Sequence, residues 1–178
     1  MKQILSQYTK EQVKKASVIK AIFFDVDGVL TDGKIIYDDT GKETKQFSVK
    51  DGYIISHLKK AGIIAGIITG RNSKAVSHRA AELKLDFCHQ GIVDKFAVFE
   101  KLIDFYKLKK KQVAYIGDDI NDIRALKNSG LSVCPADAII YVKDKVDLVT
   151  RAKGGQGVVR EVADLVLAAR GELDKILQ

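Results

Sequence analysis

Tryptophan is absent from this 178-residue chain, aromatic residues make up 7% of it, and there are one proline, one methionine and two cysteines. Each scarcity excludes something. Cys88 and Cys134 lack metal-ligand spacing, so they read as buried thiols in a reducing compartment and not as a disulfide scaffold. The three histidines, His57, His78 and His89, pair into no metal signature. Few aromatics and scattered lysines do not suit a polynucleotide surface, so no nucleic-acid partner is expected. No apolar run approaches the roughly 20 residues of a membrane span, so no membrane partner is expected either. The lysine-rich start, "MKQILSQYTKEQVKKASVIK", lacks an apolar signal core and reads as a short helix leading into the first strand, so a cytoplasmic protein is expected. With no repeat, linker or low-complexity tract, one domain spanning residues 1–178 is expected.

What is present is an apolar, charged and basic chain. Hydrophobic residues reach 46%, enough for a real core, and the net charge of +7 points to a small anionic ligand or to simple solubility. Short β-branched runs at 18–24, 62–69, 113–117, 131–134 and 147–150, with an edge piece at 86–90, alternate with helical patterns. The helices are expected at 52–61, 73–83, 95–106, 120–128 and 157–169. This rhythm predicts an α/β fold of Rossmann-like type, a mostly parallel sheet with helices on both faces. One segment breaks it. Residues 33–49, "GKIIYDDTGKETKQFSV", read as a β-hairpin flap turning at "DDTG". Its Ile35, Ile36, Tyr37 and Phe47 would be exposed on a lone hairpin.

Ligands of open parallel sheets sit beyond the carboxyl ends of the strands. Asp25 and Asp27 follow the first strand in "KAIFFDVDGVLTDG". Thr69, Gly70 and Arg71 follow the second. Gly117, Asp118, Asp119 and Asp122 follow the third, and Lys95 opens the helix after the edge piece. The carboxylates of Asp25, Asp118 and Asp119 are hard ligands suited to Mg²⁺, which would relieve their mutual repulsion. Lys95 supplies a fixed cation, and Thr69 with nearby backbone N–H groups supplies neutral donors, as a phosphate site requires. One carboxylate could attack phosphorus to form an aspartyl-phosphate, and a second two residues later could serve as general acid and then base. Asp32 reads as a turn residue at the start of the hairpin.

In order and spacing, "DVDGVLTDG", "ITGR", Lys95 and "GDDIND" resemble the four motifs of the haloacid dehalogenase superfamily of phosphohydrolases. "FSVKDGYIISHLKKAGI", "ITGRNSKAVSHRAAELKL", "QGIVDK", "VAYIGDDIND" and "TRAKGGQGVVREVADLVL" extend the likeness to its branch that dephosphorylates an eight-carbon keto-sugar acid for lipopolysaccharide synthesis. Only the first eighteen or so residues and the extreme C-terminus fall outside it. The resemblance implies a small β-hairpin and no large cap domain. It makes Asp25 the nucleophile and Asp27 the acid/base, with Thr69, Gly70 and Lys95 on the phosphoryl group. Mg²⁺ would be held by Asp25, the Asp27 carbonyl and Asp118, with Asp119 and Asp122 in support. Lys50, Asp51, Arg71 and Arg79 would contact the sugar acid, and the glycine-rich segment 153–160 would close over a site. The resemblance also implies a homotetramer whose hairpins meet centrally.

A related branch acts on a nine-carbon keto-sugar acid 9-phosphate and carries an acid where Arg71 stands. Arg71 therefore favours the eight-carbon substrate, whereas "GDDINDIRAL" is closer to the nine-carbon branch. A phospho-accepting receiver domain would also bring acids, a Thr and a Lys around Mg²⁺. Its lysine follows the last strand, however, whereas Lys95 precedes the last acids.

Overall fold

The fold is known from a computed structural model, in which residues 2–176 are described. Six parallel strands form its centre: β1 (Ala21–Phe24), β4 (Ile64–Ile68), β5 (Phe87–His89), β6 (Val113–Ile116), β7 (Leu131–Cys134) and β8 (Leu148–Val149). Their spatial order is β5-β4-β1-β6-β7-β8. Two further strands, β2 (Ile36–Tyr37) and β3 (Glu43–Thr44), pair antiparallel as a separate hairpin. Its turn is built by Asp38, whose Oδ1 accepts from Thr40 N and Lys42 N at 2.9 Å each, and by Gly41 at φ +77°.

The strand β1 is buried along its whole length, which is why its sequence is a continuous apolar run. Its residues alternate between two cores. Ile22 and Phe24 face one, with Ala114 and Ile116 of β6. That core is covered by α3 (Val49–Lys60), α4 (Lys74–Glu82) and α8 (Val158–Ala169). Ala21 and Phe23 face the other, with Val113 and Tyr115, under α5 (Lys95–Phe105) and α6 (Ile123–Asn128). On that side Phe23 meets Phe87 and Phe99 edge-on, with ring centroids 4.9 and 5.9 Å apart, contacts worth about 1 kcal/mol each beyond area burial.

The polar start of the chain forms α1 (Lys2–Leu5) and α2 (Lys10–Ala16), the latter with a Thr9/Gln12 capping box. Ile4, Leu5, Tyr8 and Val13 pack on the α8 side of the core. A short helix that the periodicity does not predict, α7 (Ile140–Lys143), leads toward β8. The expected helix at 120–128 begins as a 3-10 turn, Ile120–Asp122, before α6.

The connection from β1 to β4 lies on one side of β1, and the chain later returns to place β6 on its other side. Phe24 is therefore in register with both Ile67 and Ile116. The carboxyl ends of these three strands open together at the point where the winding reverses, where an α/β sheet offers its crevice.

Candidate active site

Three strand ends deliver the chemistry. Asp25 extends β1, its N–H donating to Ile116 O at 3.0 Å. Thr69 extends β4, its N–H donating to His89 O at 2.9 Å. Gly117 and Asp118 extend β6, and α5 begins with Lys95. A cleft of about 260 Å³ is lined by Asp25, Asp27, Gly33, Thr69, Gly70, Arg71, Asp118, Asp119 and Asn121.

Lys95 is fully buried, and its Nζ donates to Asp25 Oδ2 at 2.5 Å and to Asp122 Oδ1 at 2.8 Å. A cation opening a helix is unfavourable against the dipole. Here the two carboxylates compensate, and Asp94 caps the helix by accepting from Phe96 N and Ala97 N. Burial alone would lower the lysine pKa, but the Asp25 and Asp122 charges outweigh it and hold it above the ordinary value.

Asp122 has no oxygen to spare. Oδ1 accepts from Lys95 and from the Tyr115 hydroxyl at 2.9 Å, and Oδ2 accepts from the N–H groups of Asp118 and Asp119 at 3.2 and 3.4 Å. It orients Lys95 and the 118–119 loop. Gly117 is required beneath it, because a Cβ there would lie 2.4 Å from the Asp122 side chain. Asp119 is exposed and caps the 3-10 turn, its Oδ1 accepting from Ile120 N at 2.6 Å.

Burial, then the charge of Asp122, raises the Asp25 pKa to about 6, and burial, then the charge of Asp25, raises that of Asp118 to about 8. Oxygens of Asp25, Asp118 and Asp122 lie within 4.8 Å of one another, and Asp118 Oδ1 is buried with no hydrogen-bond partner. An unsatisfied carboxylate oxygen beside a second carboxylate in a water-accessible cleft fits a small divalent cation with oxygen ligands. Since Asp122 is saturated by donors, Asp25 and Asp118 are the side chains free to hold it. Gly28 keeps the space open: it has φ +84°, and a Cβ there would lie 2.0 Å from Asp118 Oδ2.

The hairpin brings in residues that the sequence pattern alone did not single out. Lys45 Nζ contacts Asp27 Oδ1, and Glu43 Oε1 accepts from Arg71 Nη2 at 2.8 Å. Arg71 Nη2 also reaches the Tyr37 hydroxyl at 3.1 Å. Hydrogen bonds to Glu43 and Tyr37 raise the arginine pKa still further above its ordinary range. The available signal was the alternation Glu43, Lys45, Phe47, which turns two charges to the inward face of a strand. Phe47 differs from expectation in packing against the core beside the Arg79 guanidinium, whereas Ile35, Ile36 and Tyr37 are exposed. Tyr115 also had a signal, being the one hydroxyl in β6, a strand buried along its length, and therefore in need of a partner.

Three expected contacts do not reach the cleft. Arg79 donates to Ser48 O at 3.1 Å and pairs with Glu82, joining α4 to the start of α3. Lys50 is exposed in the first turn of α3, its stem against Gly157. Asp51 is buried and accepts from Arg160 N at 2.8 Å, capping α8, and burial pushes its pKa up to about 6. The glycine-rich segment also differs from a closing flap. Gly155 N donates to Val29 O at 3.0 Å, and a Cβ on Gly154 would lie 2.2 Å from Gly28 O. It buttresses the loop that carries Asp25 and Asp27, and the anion at the α8 N-terminus is the chain's own Asp51.

A haloacid dehalogenase-like hydrolase family profile matches residues 86–162. The 3-deoxy-D-manno-octulosonate 8-phosphate phosphatase of Escherichia coli (strain K12) is 42% identical over 163 residues, covering 92% of this chain and 87% of that protein. The chain belongs to the 3-deoxy-D-manno-octulosonate 8-phosphate phosphatase family of haloacid dehalogenase-like hydrolases. Crystal structures of family members agree. The Yersinia pestis phosphatase superimposes with a TM-score of 0.91 at 41% identity, covering 93% of this chain and 89% of that one. The Moraxella catarrhalis phosphatase, crystallised with a magnesium ion, a phosphate ion and a KDO molecule, gives 0.93 at 39% identity, covering 96% and 98%.

Proposed function

We infer that the protein is a Mg²⁺-dependent phosphomonoester hydrolase that converts 3-deoxy-D-manno-octulosonate 8-phosphate to 3-deoxy-D-manno-octulosonate and phosphate. One observation carries this: Asp25, Thr69 and Asp118 arrive from three separate strand ends at one cleft, with Lys95 buried behind Asp25 and bonded to it, in a chain whose relatives of that activity match nine-tenths of its length.

Asp25 and Asp118, with the Asp27 carbonyl, would hold the cation, which supplies positive charge against the carboxylates and the phosphoryl oxygens. The residues of the chain do the rest. Lys95 fixes the Asp25 carboxylate through Oδ2, and Val26 N–H donates to Oδ1 at 2.7 Å. This orientation favours in-line attack on phosphorus. Thr69 and the Gly70 backbone steady the phosphoryl group. Asp27, near the cleft mouth with its side chain 22% exposed, gives a proton to the departing sugar oxygen. It then takes one from the water that releases phosphate from Asp25. Arg71, at the cleft wall, is suited to the sugar-acid carboxylate.

The exposed Ile35, Ile36 and Tyr37 of the hairpin support a homotetramer in which hairpins cover one another. Among the described residues no helix is long and apolar enough to cross a membrane, and a charged sugar phosphate is a cytoplasmic substrate.

A phosphate-release panel with Mg²⁺ tests the reading. The eight-carbon acid 8-phosphate should exceed the nine-carbon acid 9-phosphate and simple sugar phosphates in kcat/KM. Preference for either rival, or turnover undiminished by EDTA, refutes it.

A further inference from the structure

The hairpin carries a buried charge that neither a wall nor an assembly role uses. The Lys45 side chain is 1% exposed, although it sits on a flap whose Ile35, Ile36 and Tyr37 face solvent. A buried ammonium is costly unless paired. Its partners are Asp27 Oδ1, in direct contact, and Glu43 Oε1 at 3.5 Å. Asp27 Oδ1 also faces the Thr31 hydroxyl at 3.4 Å. The nearest cation to Asp27 Oδ2 is Arg71 Nε at 3.6 Å, beyond hydrogen-bond range. The two oxygens are therefore unequal: Oδ1 is pinned from the hairpin side, and Oδ2 is left for a reacting group in the cleft that Asp27 lines.

Resting on the reading of Asp27 as acid/base, we propose that Lys45 is a positioning residue that holds the Asp27 carboxyl group with Oδ2 turned to the reacting oxygen. In the first half-reaction the bond from phosphorus to the sugar oxygen breaks and a bond from an Asp25 oxygen to phosphorus forms. The proton on Asp27 Oδ2 passes to the sugar oxygen. In the second, water attacks phosphorus, its proton passes to Oδ2, and the Asp25 oxygen departs. Lys45 touches neither phosphorus nor the nucleophile. Its loss frees the carboxyl to rotate, so proton delivery suffers while attack by Asp25 does not.

The test compares leaving groups. A sugar alkoxide needs a proton to depart, and p-nitrophenolate does not. Rapid-quench measurement of phosphoenzyme formation in Lys45→Met should show a fall of about 10- to 100-fold with 3-deoxy-D-manno-octulosonate 8-phosphate. With p-nitrophenyl phosphate it should stay within about threefold, because no general acid acts on that leaving group. Equal losses with both substrates, or no loss with either, overturn the proposal. Asp27→Asn is measured alongside. If it shows no leaving-group selectivity, the acid/base reading itself fails; if it is selective and Lys45→Met is not, only the role of Lys45 fails. Lys45→Cys treated with 2-bromoethylamine restores an ammonium on a side chain of nearly lysine length. Recovery of the sugar-phosphate rate, against parent enzyme treated in parallel, separates positioning from collapse of the hairpin. Complete labelling without recovery counts against the proposal.

Discussion

Replacing Asp118 by Asn should make the metal-free protein more stable, and more so as pH rises. Burial and the charges of Asp25 and Asp122 raise the Asp118 pKa to about 8, against 3.8 for an ordinary aspartate, and its Oδ1 has no protein partner. A folded-state pKa above the unfolded one means that the native state binds the proton more tightly. The associated stability is complete below about pH 4 and is lost progressively as pH rises to about 8. At about 1.4 kcal/mol for each tenfold difference in proton affinity, the carboxylate costs about 2 kcal/mol near pH 5 and about 6 kcal/mol above pH 8. The asparagine is never ionised and avoids this cost. In EDTA, Asp118→Asn should melt higher than the parent near pH 8.5 by on the order of 10 °C, with a smaller difference near pH 5. Mg²⁺ at about one hundred times its dissociation constant should add about 2.7 kcal/mol to the parent and much less to the variant, narrowing the gap. Calorimetry at both pH values, with EDTA and with Mg²⁺, reads all four quantities. A variant less stable than the parent in EDTA at pH 8.5, or a difference that does not change with pH, refutes the reasoning.

Four further outcomes are expected. Asp25→Asn removes the oxygen proposed to attack phosphorus and should lower kcat by about 10⁴-fold or more while the fold persists, as turnover and circular dichroism will show. Gly28→Ala drives a methyl group to 2.0 Å from Asp118 Oδ2 at a positive φ. It should weaken Mg²⁺ activation by about 10- to 100-fold in the half-saturating concentration. Arg71→Ala should raise KM for the eight-carbon substrate by about 10- to 100-fold, the worth of a charge-assisted hydrogen bond, with kcat within about threefold. In contrast, Asp51→Asn should leave KM unchanged, because that carboxylate faces the backbone of α8.

Much of the fold was legible along the chain because a parallel strand buried on both faces must be a continuous apolar run. The strands at 64–68, 113–116 and 131–134 announce themselves in this way. Asp25, Thr69 and Asp118 were legible for the same reason, since each is the first polar group after such a run. Lys50, Asp51 and Arg79 were harder. They lie near the site in sequence, but the helical turn that carries Lys50 and Asp51 faces α8, and Arg79 is held by Ser48 O. Periodicity does not report which neighbour a helix start will meet.

The amino-acid sequence by itself determined the strand-and-helix order, the acidic rim and the phosphoryl-transfer chemistry, because burial patterns and residue types are local properties. Only the tertiary structure decided how the carboxylates divide their work. Asp122 is saturated by four donors while Asp118 keeps an unpartnered oxygen. Lys45 crosses from the hairpin to Asp27, and Asp51 turns away to cap a helix. These assignments depend on distances between residues far apart in the chain, set by how the sheet is wound.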